Sequence, residues 1–229
     1  SMARALPRFH YVLNRLLRHL ILPIHRVRAT VAGVEHVPPH GALIIVANHT
    51  SVLDVPLLAV HVPRDITFMS KAENFEGHPF KTWVVRNYGA FPVRRGEGDI
   101  NAIRQALQVL KEGGALMMAP EGTRSPDHRM REPQEGVALV AYRSGAPLLP
   151  VGISGGDRFP SHIRRWQPTD VHVSIGRPFH LVSPARKAER AALTAMSEAV
   201  MERIAAELPP TYRGRFLELT DNQRFVRDA

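Results

Sequence analysis

Short apolar runs of four to six residues recur along this chain, at 30–34, 42–47, 66–69, 90–93, 115–118, 148–153 and 171–175, with helical or turn-like stretches between them. Runs of that length suit buried strands, and their alternation with helical periods is the mark of a layered α/β domain. The pattern predicts one α/β domain, a central mixed sheet of about seven strands flanked by helices, with an amphipathic helix ahead of it. Helices are predicted to follow Asp54, Pro79, Asp99, Gln134 and Pro184. In the third of these, Ile103, Leu107 and Leu110 form one stripe, and Gly113-Gly114 ends it. The last is closed by Pro209-Pro210, and the charged segment beyond Tyr212 has so little apolar periodicity that it is predicted to be poorly ordered.

The leading helix spans 7–28, where Phe9, Val12, Leu13, Leu16, Leu17, Leu20 and Ile24 recur at spacings of three and four, with Arg8, Arg15, Arg18 and His19 elsewhere around it. A kink is expected near Pro23. Such a helix either docks on the core of its own domain or lies in a membrane interface, its apolar face among acyl chains and its arginines at anionic headgroups. No apolar stretch approaches the roughly 20 residues that a spanning helix requires. Ser1-Met2 reads as a cloning remnant ahead of the native start, and no secretory apolar segment with a cleavage site follows it, so secretion is not expected.

Charge narrows the partners. Of 30 basic residues only Lys71, Lys81, Lys111 and Lys187 are lysines, so the formal charge of +9 is carried almost wholly by arginine. The guanidinium fork grips two phosphate oxygens at once. Nucleic acid, anionic lipid and acidic substrates all remain open on charge alone. Nucleic-acid binding is disfavoured, because only two tryptophans and four tyrosines accompany the arginines and no nucleic-acid motif is present. The absence of cysteine excludes disulfides, thiolate catalysis and cysteine metal sites, and the histidines do not cluster at zinc-ligand spacings, so no metal is expected.

Four strand ends carry reactive groups. The run 42–47 empties into Asn48-His49-Thr50-Ser51-Val52-Leu53-Asp54, which puts His49 at the carboxyl end of a strand, where open α/β sheets gather their ligands. Asp54 can hold the other ring nitrogen, making a base with its orienting carboxylate. It can instead serve as the acid of a capping box that begins at Ser51. The run 115–118 leads into Ala119-Pro120-Glu121-Gly122-Thr123-Arg124-Ser125, with glycine for close backbone approach, hydroxyls on Thr123 and Ser125 and a charge on Arg124. This suits a phosphate cradle, and equally a turn whose arginine pairs with a surface carboxylate. The run at 90–93 ends in Arg94 and Arg95, and Lys71 lies just past 66–69.

In this order the segments resemble the motifs of the glycerolipid acyltransferase family, best known for 1-acyl-sn-glycerol-3-phosphate acyltransferases. His49 and Asp54 fall on its catalytic first motif, Gly89 through Arg95 on its second, Pro120 through Ser125 on its third and Ala146 through Val151 on its fourth. Arg94 stands where that family often has an acidic residue, and Ala119 where it has an aromatic one. The resemblance implies a glycerol-3-phosphate acyltransferase-like fold over 29–212, between a membrane-association helix (3–28) and the tail (213–229). It implies that His49 takes a proton from an acceptor hydroxyl, which attacks the thioester of acyl-CoA or acyl carrier protein without an acyl-enzyme. Arg95 and Arg124, with Lys71 and Thr123, would hold the phosphate of a lysophospholipid acceptor in a pocket shaped by Glu121 and Gly122. No cofactor is implied beyond the acyl donor, and the place of work would be an anionic membrane surface at the cytoplasmic face of the cell membrane.

Overall fold

The five residues Leu43–Ala47 are all fully buried, and alternate side chains leave the strand on opposite sides. Leu43, Ile45 and Ala47 enter one core while Ile44 and Val46 enter another, as a strand covered on both faces must. The computed structural model describes residues 8–76, 79–87, 89–94, 99–182 and 189–229, without the side chains of residues 8–10, 80, 81, 84 and 87.

In chain order the principal elements are helix α1 (Arg8–Leu16), a π-helical turn (Leu17–Ile21) and α2 (Leu22–Ile24), β1 (Val27–Ala32), β2 (Leu43–Ala47), α3 (Asp54–His61), β3 (Ile66–Lys71), α4 (Pro79–Asn87) and β4 (Ala90–Val93). There follow α5 (Ile100–Lys111), β5 (Ala115–Met118), α6 (Gly136–Ser144), β6 (Leu148–Ser154), α7 (Phe159–Arg164), β7 (Thr169–Ile175), β8 (Phe179–Leu181), α8 (Arg190–Ala206) and β9 (Val226–Asp228). The sheet is mixed, with spatial order β1-β7-β6-β2-β5-β3-β4. β6, β2, β5, β3 and β4 are mutually parallel, whereas β7 pairs antiparallel with β6 and carries β1 at its outer edge. The carboxyl ends of five neighbouring strands therefore share one rim.

The predicted strands are all present, with two differences. β1 lies three residues earlier than 30–34, and Val34 falls in a short 3-10 turn. The count is nine among the described residues, because β8 adds to β6 and β9 to β8. Asp99 caps α5 by accepting from the amides of Asn101 and Ala102, as its position before an apolar stripe leads one to expect. The predicted beginning of the last helix, at Pro184, lies in 183–188, outside the described residues; the described helix is α8.

The leading helix docks and also leaves an apolar side uncovered. Leu13, Leu17 and Leu22 pack on the core beside α3, and the Asn14 amide donates to the Ala59 carbonyl at 3.0 Å. Val12, Leu16, Leu20 and Ile24 stay exposed at a spacing of four. The expected distortion precedes Pro23: the ring has no N–H and collides with the carbonyl four residues back, and the helix widens to π geometry over Leu17–Ile21.

The expectation of a poorly ordered tail is overturned. Phe216 and Phe225 are buried and β9 is paired. The buried carboxylate of Glu202 on α8 accepts from the Thr220 backbone amide and hydroxyl and from the Gln223 side-chain amide at 3.1, 2.6 and 2.8 Å. Isolated aromatics and polar side chains hold this segment, and neither produces a period.

Candidate active site

Where β2 ends, Asn48 keeps the chain in line with β6: its side chain donates to the Ile153 carbonyl and accepts from the Ile153 amide, both at 2.8 Å. The next residue, His49, then leaves the ladder at the shared rim. Its Nδ1 lies 2.8 Å from Oδ2 of Asp54, a carboxylate with no solvent exposure, while the imidazole keeps 19% of its side-chain surface open. A carboxylate oxygen that accepts from the ring requires the proton on Nδ1, which leaves the lone pair of the neutral ring on Nε2.

The same Oδ2 accepts the amides of Thr50 and Ser51, each at 2.9 Å. Asp54 opens α3, where a negative charge also meets the positive end of the helix. The reach back to Thr50 and Ser51 closes the turn that leads into α3, whose N-cap is Leu53, so one oxygen atom both closes that turn and orients the imidazole. The Ser51 hydroxyl donates to the Gly156 carbonyl at 2.8 Å, and a Cβ on Gly156 would sit 3.1 Å from Ser51 Cβ, so the loop after β6 presses directly on the turn that carries His49 and Asp54.

The loop after β5 grips His49 by its backbone. Glu121 Oε1 accepts the His49 amide at 3.2 Å, its Oε2 accepts the Arg131 amide at 3.1 Å, and the Ser125 amide donates to the His49 carbonyl at 2.9 Å. Burial pushes the Glu121 carboxyl up to about 7, against the two amides that favour its charged form. Gly122 turns with φ near +70°, and its amide donates to the Ala119 carbonyl.

The cationic groups are distributed less evenly than the motifs suggest. Arg124 is exposed and makes no ion pair with a described residue. Thr123 is half-buried beside it, and the Ser125 hydroxyl is turned to Asp127 at 2.6 Å. Lys71, at the end of β3, pairs with Glu73 at 3.1 Å. At the usual strand spacing β3 lies about 10 Å from β2 across the sheet, and β4 about 14 Å. Arg95 lies outside the described residues; Arg94, on the same rim, donates its amide to Asp99 at 2.9 Å. Among the described residues no three His, Asp or Glu side chains are grouped as a metal would need.

The motif residues themselves were legible, but the clamp of Glu121 on a backbone amide was not, and neither was Tyr212. Its hydroxyl donates to Asp157 at 2.6 Å and accepts the Gly155 amide at 3.0 Å, while its carbonyl accepts the Met130 amide at 2.8 Å. It thus ties together the two loops that flank His49. A tyrosine after a Pro-Pro pair was its only trace in the sequence.

Fold and site define a class: a layered α/β protein with a hydrogen-bonded histidine–aspartate pair at the carboxyl rim of its parallel strands. The chain belongs to the acyltransferase family, whose model matches residues 28–154, more than half of the 229 residues. It is 28% identical over 220 residues to the 1-acyl-sn-glycerol-3-phosphate acyltransferase CHLREDRAFT_174358 of Chlamydomonas reinhardtii, covering 94% of this chain and 63% of that protein. It is 30% identical over 178 residues to the lyso-ornithine lipid O-acyltransferase of Pseudomonas aeruginosa, covering 70% of this chain and 66% of that protein. The chain thus spans just under two thirds of the length of both curated relatives. The crystal structure of the 1-acyl-sn-glycerophosphate acyltransferase PlsC from Thermotoga maritima superposes with a TM-score of 0.63 at 27% identity, over 86% of this chain and 80% of that one.

Proposed function

We propose that this protein moves a fatty acyl chain from acyl-CoA or acyl carrier protein to the free hydroxyl of 1-acyl-sn-glycerol-3-phosphate, giving phosphatidic acid. The observation that carries the proposal is His49 Nδ1 locked on the buried Asp54 carboxylate, with Nε2 left for substrate. Nε2 removes the hydroxyl proton as the oxygen attacks the thioester carbonyl. The tetrahedral intermediate collapses by breaking the C–S bond, and the imidazolium returns the proton to the departing thiolate. The thioester is already activated, so a positioned base and bound reactants supply most of what the reaction needs, and no acyl-enzyme or cofactor enters. Arg124, Arg95, Thr123 and Lys71 hold the acceptor phosphate, while Glu121 and Gly122 shape the loop that carries Arg124 and Thr123.

The acceptor is a membrane lipid, so the exposed stripe Val12-Leu16-Leu20-Ile24 serves as the anchor of residues 3–28 on an anionic surface, at the cytoplasmic face of the cell membrane. Among the described residues no helix is long and apolar enough to cross a membrane. The likeness to a lyso-ornithine lipid O-acyltransferase favours a second reading, the same chemistry on an amino-acid lipid.

A thiol-release assay with acyl-CoA tests both. Its acceptor panel is 1-acyl-sn-glycerol-3-phosphate, glycerol 3-phosphate and lyso-ornithine lipid. Turnover is expected with the first and is lost in His49→Ala. Turnover that survives in a folded His49→Ala protein refutes the mechanism; preference for lyso-ornithine lipid refutes the acceptor.

A further inference from the structure

Only three described non-glycine residues have positive φ, and two of them touch: Arg26 (φ 56°) sends Nη1 to the carbonyl of Trp166 (φ 54°) at 2.8 Å. Left-handed backbone at bulky residues is unfavourable and persists only where surrounding structure holds it. Here the hold comes from both sides. The Thr169 amide donates to the Arg26 carbonyl at 3.0 Å, and the His25 ring meets Phe159 edge-on at 6.3 Å, seating the start of α7 against the end of the leading helix. The result is a turn that displays Trp166 with 63% of its surface open, beside exposed Arg164 and Arg165. Neither arginine forms an ion pair with a described residue.

We propose that this Arg164-Arg165-Trp166 turn is a second membrane contact, its indole at headgroup level and its guanidinium groups on anionic phospholipids. Three observations favour a lipid surface. Tryptophan beside arginine is the pairing that suits a boundary between apolar and polar layers. The turn is bonded to Arg26, two residues past Ile24, so it continues the exposed stripe of the leading helix. The loop that feeds α7 accepts the Ser51 hydroxyl through Gly156, and Val52 of the catalytic turn is itself half exposed, which joins this surface to the mouth of His49. A helix lying alone on a bilayer leaves the protein free to roll about the helix axis. A contact off that axis fixes the roll and turns the His49 rim to the lipid.

The proposal rests on the leading helix being membrane-bound, and the experiment separates the two. The chain has two tryptophans, so Trp83→Phe leaves Trp166 as the sole indole reporter, with Trp166→Phe as companion so that Trp83 can be subtracted if the first variant folds poorly. On mixed phosphatidylglycerol–phosphatidylcholine vesicles, Trp166 emission should shift to shorter wavelength and be quenched by lipids brominated near the headgroup. Trp166→Ala keeps the carbonyl that Arg26 uses and should lower vesicle partitioning roughly tenfold. Arg164→Gln and Arg165→Gln should each lower it about fivefold, with weaker salt dependence.

If sedimentation shows the protein on vesicles while Trp166 is neither shifted nor quenched, the turn is not a contact and only the helix anchors. Failure of the parent protein to sediment at all overturns both proposals. A blue shift that follows protein concentration without vesicles assigns the patch to a second copy of the chain and overturns this one.

Discussion

Replacing Asp54 by asparagine separates its charge from its geometry. Oδ2 accepts three donors, His49 Nδ1 and the amides of Thr50 and Ser51, while Oδ1 is buried with no partner among the described residues. An asparagine oxygen in the Oδ2 position can keep all three hydrogen bonds, so the ring tautomer survives and only the negative charge is lost. Unit charges about 4 Å apart at an effective dielectric near 20 attract by about 4 kcal/mol. That attraction is present when the imidazole is protonated in the transition state and absent when it is neutral, so kcat should fall about a thousandfold with KM little changed. The new NH2 falls where Oδ1 has no acceptor, so stability should drop by about 1–3 kcal/mol. Steady-state thiol release and urea unfolding measure the two quantities on the same preparation. A folded Asp54→Asn protein that loses less than about tenfold in kcat would refute the reasoning and leave Asp54 with only the closing of the turn before α3.

Glu121 titrates at about 7 in the folded protein against 4.5 ordinarily, so the unfolded chain releases its proton first as pH rises. The stability this raised value contributes is complete below pH 4.5 and is lost as pH rises through about 7, about 3 kcal/mol in all. Urea midpoints across pH 4.5–8 should show the decline in the parent chain relative to Glu121→Gln, and parallel profiles would contradict it. Arg124→Ala should raise the Michaelis constant for a phosphate-bearing acceptor about tenfold with kcat nearly unchanged, since one charge-assisted contact is removed; no change in acceptor affinity would remove Arg124 from the site. Tyr212→Phe deletes the bonds to Asp157 and to the Gly155 amide and should cost about 1–3 kcal/mol by denaturation. It should also lower kcat, because Gly156 in the same loop holds Ser51.

The middle of the sheet could be read from the sequence because its strands must be apolar on both faces: the runs at 42–47, 115–118 and 148–153 became β2, β5 and β6 almost residue for residue. The edges could not. β1 alternates buried and open positions with Arg28 and Thr30 facing outward, so its apolar signal is diluted and the expectation slid toward Val34. β8 and β9 are three residues each and exist because their partners are there. Likewise the tail is secured by Phe216, Phe225 and the donors around Glu202, single contacts whose worth depends on the chain folding back onto α8.

At the site, residue types marked the histidine, the aspartate and the loop after β5, but not how that loop holds the histidine. Motif reading compares side chains with side chains and gave Glu121 the shaping of a phosphate pocket; in the fold both of its oxygens accept backbone amides, one of them that of His49. A backbone amide has no letter in the sequence, so this kind of support is invisible there. Capping and catalysis at Asp54 were set against each other for a similar reason, as alternatives for one carboxylate. In the fold one oxygen serves both purposes: bringing the Thr50 and Ser51 amides onto Oδ2 bends the chain ahead of α3 so that the His49 ring also reaches that oxygen. Stability and turnover should therefore fall together in most substitutions at 54, and the asparagine variant is informative because it is the one that pulls them apart.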